Sequence, residues 1–201
     1  MAMPSRLVPI SIEDYLAFEE RSPLRHEYVD GRIYAMTGAK RRHNLIVARL
    51  LYRARGAADA RPPCQVFAND MKLYVQLRNS IYYPDIVACC DPDDREEIYV
   101  IRPCFIVEVL SPSTAGIDRR EKRMSYETLP SLQEYLIVSQ DRMRVELYQR
   151  EEAGWQGYLL QQPDDVIWSS CLQLRMTLAE LYADVELAPP GVAEEEPPEY
   201  A

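Results

Sequence analysis

Two short runs, Tyr83-Pro84-Asp85-Ile86-Val87 and Phe105-Ile106-Val107-Glu108-Val109-Leu110-Ser111, constrain this chain most. Each is a short β-branched run that carries a single carboxylate among residues that otherwise ask to be buried. An ionised carboxylate in an apolar strand is costly unless a cation or hydrogen-bond donors compensate it. Two such strands therefore ask for a shared partner, and a metal ion is the simplest one. The separation of 108 − 85 = 23 residues leaves room for a strand, a loop and a return strand, so the two acids can meet on neighbouring strands.

The surrounding sequence supplies a frame for that pair. Ser11, with Asp14 three residues on as a capping-box variant, opens a first helix that carries Tyr15, Leu16 and Phe18 and stops near Ser22-Pro23. His26–Val29 and Arg32–Met36 flank Asp30-Gly31, a two-residue hairpin signal. From Ala39 to about Arg55 the residues Leu45, Ile46, Leu50 and Leu51 recur at helical spacing, with Gly56 where a C-terminal cap belongs. Strands are expected over Cys64–Ala68, Met71–Leu77, Tyr82–Cys89 and Cys104–Leu110, with the acidic stretch Asp91–Glu97 as a solvated loop. A second helix follows over Asp118–Leu129, introduced by Ser111-Pro112-Ser113-Thr114 and stopped before Pro130. Strands over Glu134–Ser139, Arg144–Arg150 and Trp155–Gln161 and a short helical segment over Thr177–Tyr182 complete the pattern. Such an order predicts an α/β fold with a mixed central sheet flanked by helices. The expected organisation is a flexible N-terminus over residues 1–10, one domain over 11–187, and a disordered Pro- and Glu-rich tail over 188–201.

Composition narrows the function classes. The 201 residues, 47% of them hydrophobic, suit one domain with a substantial core. A net charge of −9 opposes indiscriminate binding of nucleic acid, so a polyanion would need a local basic patch. Two clusters offer one: Lys40-Arg41-Arg42, and Arg119-Arg120 with Lys122-Arg123. The alternative for both is a solvated helix end. The five cysteines form no CxxC pair, which argues against a zinc cluster or disulfide framework and for a reducing compartment. No secretory h-region and no run of 18 apolar residues is present, so a cytoplasmic protein without a membrane span is expected.

At this point a resemblance enters, carried by Arg25-His26-Glu27-Tyr28-Val29-Asp30-Gly31, His43-Asn44, Tyr83-Pro84-Asp85, Glu108-Val109-Leu110-Ser111-Pro112-Ser113-Thr114, Asp118 with Lys122 and Tyr126, and Leu129-Pro130-Ser131-Leu132-Gln133-Glu134-Tyr135. In order and combination these resemble the Uma-two family of restriction-endonuclease-like proteins, within the PD-(D/E)XK nuclease superfamily, over roughly Ile12–Tyr182. The resemblance implies the restriction-endonuclease-like fold and a metal-dependent nuclease, with DNA favoured over RNA. It also supports Lys122 as a migrated lysine, because the usual motif places a lysine two residues after the glutamate, where this chain has Leu110.

Phosphodiester hydrolysis needs an activated water, charge stabilisation at the scissile phosphate and help for the leaving oxygen, all of which a divalent ion can serve. Magnesium, or manganese in its place, favours oxygen ligands. Asp85, Glu108 and the Val109 carbonyl offer three. Lys122, brought in from the second helix, would position water and stabilise charge, with Tyr126 one turn on. Glu27 and His43 are candidates to complete the site, by metal binding or by phosphate contact and proton transfer. Gln65, Asp70 and Lys72 are weaker candidates for the border of the cleft.

Against each role stands a plainer one: Asp85 as a strand boundary, Lys122 as an exposed helix lysine, and His43 or Glu27 as structural residues. The opposing functional reading is a nuclease-fold protein that no longer cuts and acts as a binding or regulatory homodimer. A homodimer is expected in either case.

Overall fold

The computed structural model describes residues 9–36, 38–110 and 118–187. Ser111-Pro112-Ser113-Thr114, the first eight residues and the tail from residue 188 lie outside that set, as do the side chains of Asp118 and Arg119.

Helix α1, Ile12–Glu19, starts where its cap requires: the Ser11 hydroxyl accepts from the Asp14 amide. It packs Tyr15 against Tyr28 of strand β1, ring centroids 5.2 Å apart. Strands β1, His26–Val29, and β2, Arg32–Ala35, form the expected hairpin with Val29 opposite Arg32. Asp30 and Gly31 both take positive φ, 45° and 86°, the geometry of a two-residue turn whose twist matches the strands. A Cβ at residue 31 would run into the Pro9 Cβ. Gly31→Ala is therefore expected to cost about 1–3 kcal/mol, read as a lower urea midpoint at an unchanged slope.

Helix α2, Arg41–Asp59, continues beyond the predicted stop at Gly56. Burial of Ala54 and Ala58 on the same stripe as Ile46, Val47 and Leu50 outweighs the small helix penalty of one glycine. Strands β3, Gln65–Ala68, and β4, Lys72–Val75, follow.

The expected strand Tyr82–Cys89 is two strands, β5, Ser80–Tyr82, and β6, Ile86–Cys89, in different sheets. Pro84 lies in the break, where its missing N–H prevents continuous pairing. The pair Tyr99–Val100, β7, is a strand too short for its sequence to announce. Strand β8, Phe105–Leu110, is buried along its whole length.

The second helix is shorter than predicted and divided: a π-helical turn, Asp118–Lys122, leads into α3, Arg123–Tyr126. Beyond Tyr126 the chain tightens into turns, with the Leu129 amide bonded to the Tyr126 carbonyl. Strands β9, Glu134–Ser139, β10, Val145–Glu151, and β11, Gly154–Leu160, match expectation closely. A second hairpin, β12, Val166–Ser169, and β13, Leu174–Thr177, is not apparent from the sequence pattern. It leads into α4, Leu178–Leu181, whose Thr177 and Glu180 form a full capping box.

Two larger sheets result, in strand orders β2-β1-β5-β4-β7 and β11-β10-β9-β8-β6-β3. In the second, β8 runs antiparallel to β6 and parallel to β9. The connection through α3 supplies the crossover that a parallel pair needs. Alternate residues of β8 divide between two apolar clusters: Phe105, Val107 and Val109 with α2, and Ile106 and Leu110 with Tyr126 and Tyr135. Glu108 therefore points to the α3 face.

The cysteines depart from expectation. The structure joins Cys64 to Cys90 and Cys104 to Cys171, and leaves Cys89 as a buried thiol. Strand register decides these partners: Gln65 lies opposite Cys89, so Cys64 faces Cys90 across β3 and β6. Sequence spacing carries no trace of that adjacency.

Candidate active site

Extended by one residue, the register Ile86↔Val107 sets Asp85, just ahead of β6, opposite Glu108. The Asp85 carboxylate Oδ2 accepts the Val109 N–H at 2.7 Å and lies 3.2 Å from His43 Nε2, which is 3.1 Å from Oδ1. Either imidazole nitrogen can carry a proton, and the tautomer protonated at Nε2 donates to this carboxylate. Among the described residues, the buried His43 Nδ1 has no hydrogen-bond partner. His43 reaches the site because it occupies the first turn of α2.

Glu108 is 5% exposed at its side chain and receives the Tyr126 hydroxyl at 2.7 Å. Burial, and then the Glu108 charge, hold the Tyr126 phenol well above its usual range, so it stays a donor. Lys122, at 6% exposure, places its ammonium 3.2 Å from Glu108 Oε1 and 2.8 Å from Glu27 Oε1. Glu27 comes from β1 in the other sheet and also accepts, at 3.4 Å, from the Tyr83 N–H. Lys122 and Tyr126, four residues apart, share a helix face, and the π-helical turn sits immediately before α3 where that face meets the sheet. Asp85, Glu108, Lys122, Glu27 and His43 thus converge from five separate parts of the chain.

The backbone adds a sixth group. Extending the β6–β8 register two residues from Ile86↔Val107 sets Pro84 opposite Val109. Proline has no N–H to give the Val109 carbonyl. In an extended strand the carbonyl and N–H of one residue point to the same edge, and the Val109 N–H points at Asp85. Carboxylates and a backbone carbonyl are hard oxygen donors, and this set fits magnesium or manganese far better than a soft metal.

The weaker candidates fall elsewhere. Gln65 is exposed, and Asp70 pairs with Arg25 at 3.2 Å on the surface. Lys72 lies 5.4 Å over the Tyr83 ring, and burial lowers its pKa. The basic clusters are divided as well. Arg42 bonds Asp141 at 3.0 Å, and Arg123 bonds Glu127 at 2.7 Å while stacking 4.1 Å over Tyr148. Lys40, Arg41 and Arg120 remain exposed.

Sequence reasoning missed Glu19, a fully buried carboxylate behind the site. It accepts from the His26 amide at 3.0 Å and the Tyr83 hydroxyl at 2.9 Å, and lies 3.0 Å from His26 Nδ1. It thereby ties α1 and β1 to the residue preceding Pro84-Asp85. Its signal was an acid four residues after Tyr15 on the inner face of α1.

Residues 12–180 match the family model Uma2, described as "Putative restriction endonuclease". The chain belongs to the Uma2 family. Two uncharacterised Synechocystis proteins are similar along most of their length: slr1290 is 39% identical over 153 residues, 75% of this chain and 80% of that protein. The second, sll1609, is 34% identical over 147 residues, 70% of this chain and 81% of that protein. A crystal structure titled as "a putative nuclease belonging to DUF820 from Anabaena variabilis" superposes with a TM-score of 0.73 over 87% of this chain and 98% of that one. At 17% identity this match shows the shared fold. The Uma2 assignment points to a nuclease, and no helix among the described residues is long and apolar enough to cross a membrane.

Proposed function

We propose that this Uma2 protein is a magnesium-dependent endonuclease that hydrolyses DNA phosphodiester bonds. The observation that carries the reading is the Lys122 ammonium, delivered from the helix to Glu108 and Glu27 in the place that Leu110 leaves without a cation. Asp85, Glu108 and the Val109 carbonyl would hold the ion, with Glu27 kept beside them by Lys122. A divalent cation bound there would polarise the phosphate and make a nearby water more acidic.

The chain's own residues have separate tasks. Lys122 presents donors where negative charge grows on the phosphate, in a pocket from which most water is excluded. Tyr126 fixes the Glu108 carboxylate and cannot compete with it for a proton-free state. Val109 N–H and His43 fix both oxygens of Asp85. Exposed Lys40, Arg41 and Arg120 would meet backbone phosphates and give binding a strong salt dependence. Manganese should replace magnesium, and two copies would serve the two strands of a duplex. Exposed Tyr52 and Leu77 offer apolar surface for such pairing.

The test is supercoiled plasmid incubated with the purified protein in magnesium, manganese or chelator. Nicked or linear product in either metal, and none in chelator, is expected. Intact plasmid in all three, together with no calorimetric signal for magnesium, would remove the nuclease reading and leave the fold to a binding role.

A further inference from the structure

Far from the carboxylates, at the other ends of the same strands, four cysteines gather. Cys64 precedes β3, Cys90 follows β6, Cys104 precedes β8, and Cys171 lies in the turn between β12 and β13. The Cys90 sulfur is 3.6 Å from that of Cys104 and 3.7 Å from that of Cys171, across the two joined pairs. The ligand atoms of Cys90, Cys104 and Cys171 all lie within 4.8 Å of one another. We propose that the reduced protein binds one zinc ion through Cys64, Cys90, Cys104 and Cys171, and that the disulfide-joined arrangement is the oxidised, metal-free form of this centre.

Three features favour zinc. Four zinc–sulfur bonds of about 2.3 Å directed to the corners of a tetrahedron give sulfur–sulfur edges of about 3.8 Å. The two cross-pair separations that Cys90 makes are already at that length, and Cys64, joined to Cys90, would swing in as the fourth ligand. An iron–sulfur cluster would interpose its own iron and sulfide and hold the cysteines farther apart. The four residues lie in or against one apolar cluster, with Cys104 and Cys171 buried and Cys64 and Cys90 half-buried, and so form a closed site at the margin of the core. A closed set of four thiolates with no open position is structural rather than catalytic.

The turn that carries Cys171 is itself held in place. Buried Glu134, at the start of β9, accepts from the hydroxyls of Ser169 and Ser170 and from the Ser170 amide at 2.9 Å. The centre would clip the β12–β13 hairpin to β3, β6 and β8. Cys89 takes no part, because alternation along β6 turns its side chain to the other face, where its thiol meets the Arg102 carbonyl at 3.2 Å.

Conversion between the two forms balances. Each disulfide is reduced by one dithiol, which gives two electrons and two protons and leaves as its own disulfide. The four resulting thiols lose four protons as four zinc–sulfur bonds form.

Protein reduced with dithiothreitol, freed of it anaerobically and loaded with zinc or cobalt tests the proposal directly. About one zinc per chain by elemental analysis is expected after desalting. Cobalt should give intense thiolate-to-metal charge transfer and the visible bands of tetrahedral sulfur ligation. Glu108→Gln should keep this spectrum, which separates the centre from any ion at the carboxylates, and Cys171→Ser should lose about tenfold or more in metal affinity. Reduced wild type that retains no zinc after desalting and shows no cobalt–thiolate charge transfer would overturn the proposal, whether or not Cys171→Ser folds.

Discussion

Glu108→Ala is expected to lower metal-dependent plasmid cleavage by at least about 100-fold, since losing a partner behind a ligand already costs 10- to 100-fold and Glu108 is placed as a ligand itself. The geometry makes the loss twofold in origin. Glu108 is the residue through which Tyr126 and Lys122 both reach the sheet, at 2.7 and 3.2 Å. Without it the Tyr126 hydroxyl, fully buried, keeps no carboxylate to donate to, and Lys122 keeps Glu27 alone among the two acids. Calorimetry of magnesium binding should weaken in step with activity. Glu108→Ala that cuts at the wild-type rate, from a preparation shown free of contaminating nuclease, would move the active site elsewhere.

How much of this was legible beforehand differs by element, for physical reasons. The hairpin at Asp30-Gly31 and the Ser11 cap are local devices whose chemistry acts within four residues, and both read directly. The strands β8 and β9 were clear because both faces are buried, which forces a continuous apolar run. The pairing of Asp85 with Glu108 was legible as a cost: two acids in apolar strands need something to offset them. The hidden parts are those set by contacts between distant segments. Pro84 lies inside the single strand expected over Tyr82–Cys89, and only register shows that it separates two sheets and sits opposite Val109 with no N–H to offer its carbonyl. The cysteine pairs are joined across 26 and 67 residues, so their adjacency exists only in the folded sheet. The π-helical turn at Asp118–Lys122 has no composition of its own. Glu19 is buried because β1 and Tyr83, distant along the chain from the end of α1, close over it.

Lys122→Met should separate the structural and chemical duties of the lysine. Methionine keeps much of the apolar stem and fills the space flexibly, so the loss is chiefly that of the ammonium. Glu27 and Glu108, 14% and 5% exposed, both contact that one nitrogen and would then face each other as like charges. Breaking a buried ion pair by removing one partner costs about 3–5 kcal/mol, and that is the drop expected in chelator. Magnesium should recover part of it, because an ion held by Asp85 and Glu108 would offset the negative charge, bind the folded chain alone and stabilise it by mass action. The melting temperature of Lys122→Met should therefore rise more with magnesium than that of wild type does. Cleavage should not recover with it: the donor aimed at the phosphate is gone, and the rate should stay about 100- to 1,000-fold down. Stability restored with activity still lost would separate the two roles. Wild-type stability in chelator together with full activity would show that Lys122 is a bystander, and the catalytic cation would then have to come from the exposed Lys40, Arg41 or Arg120.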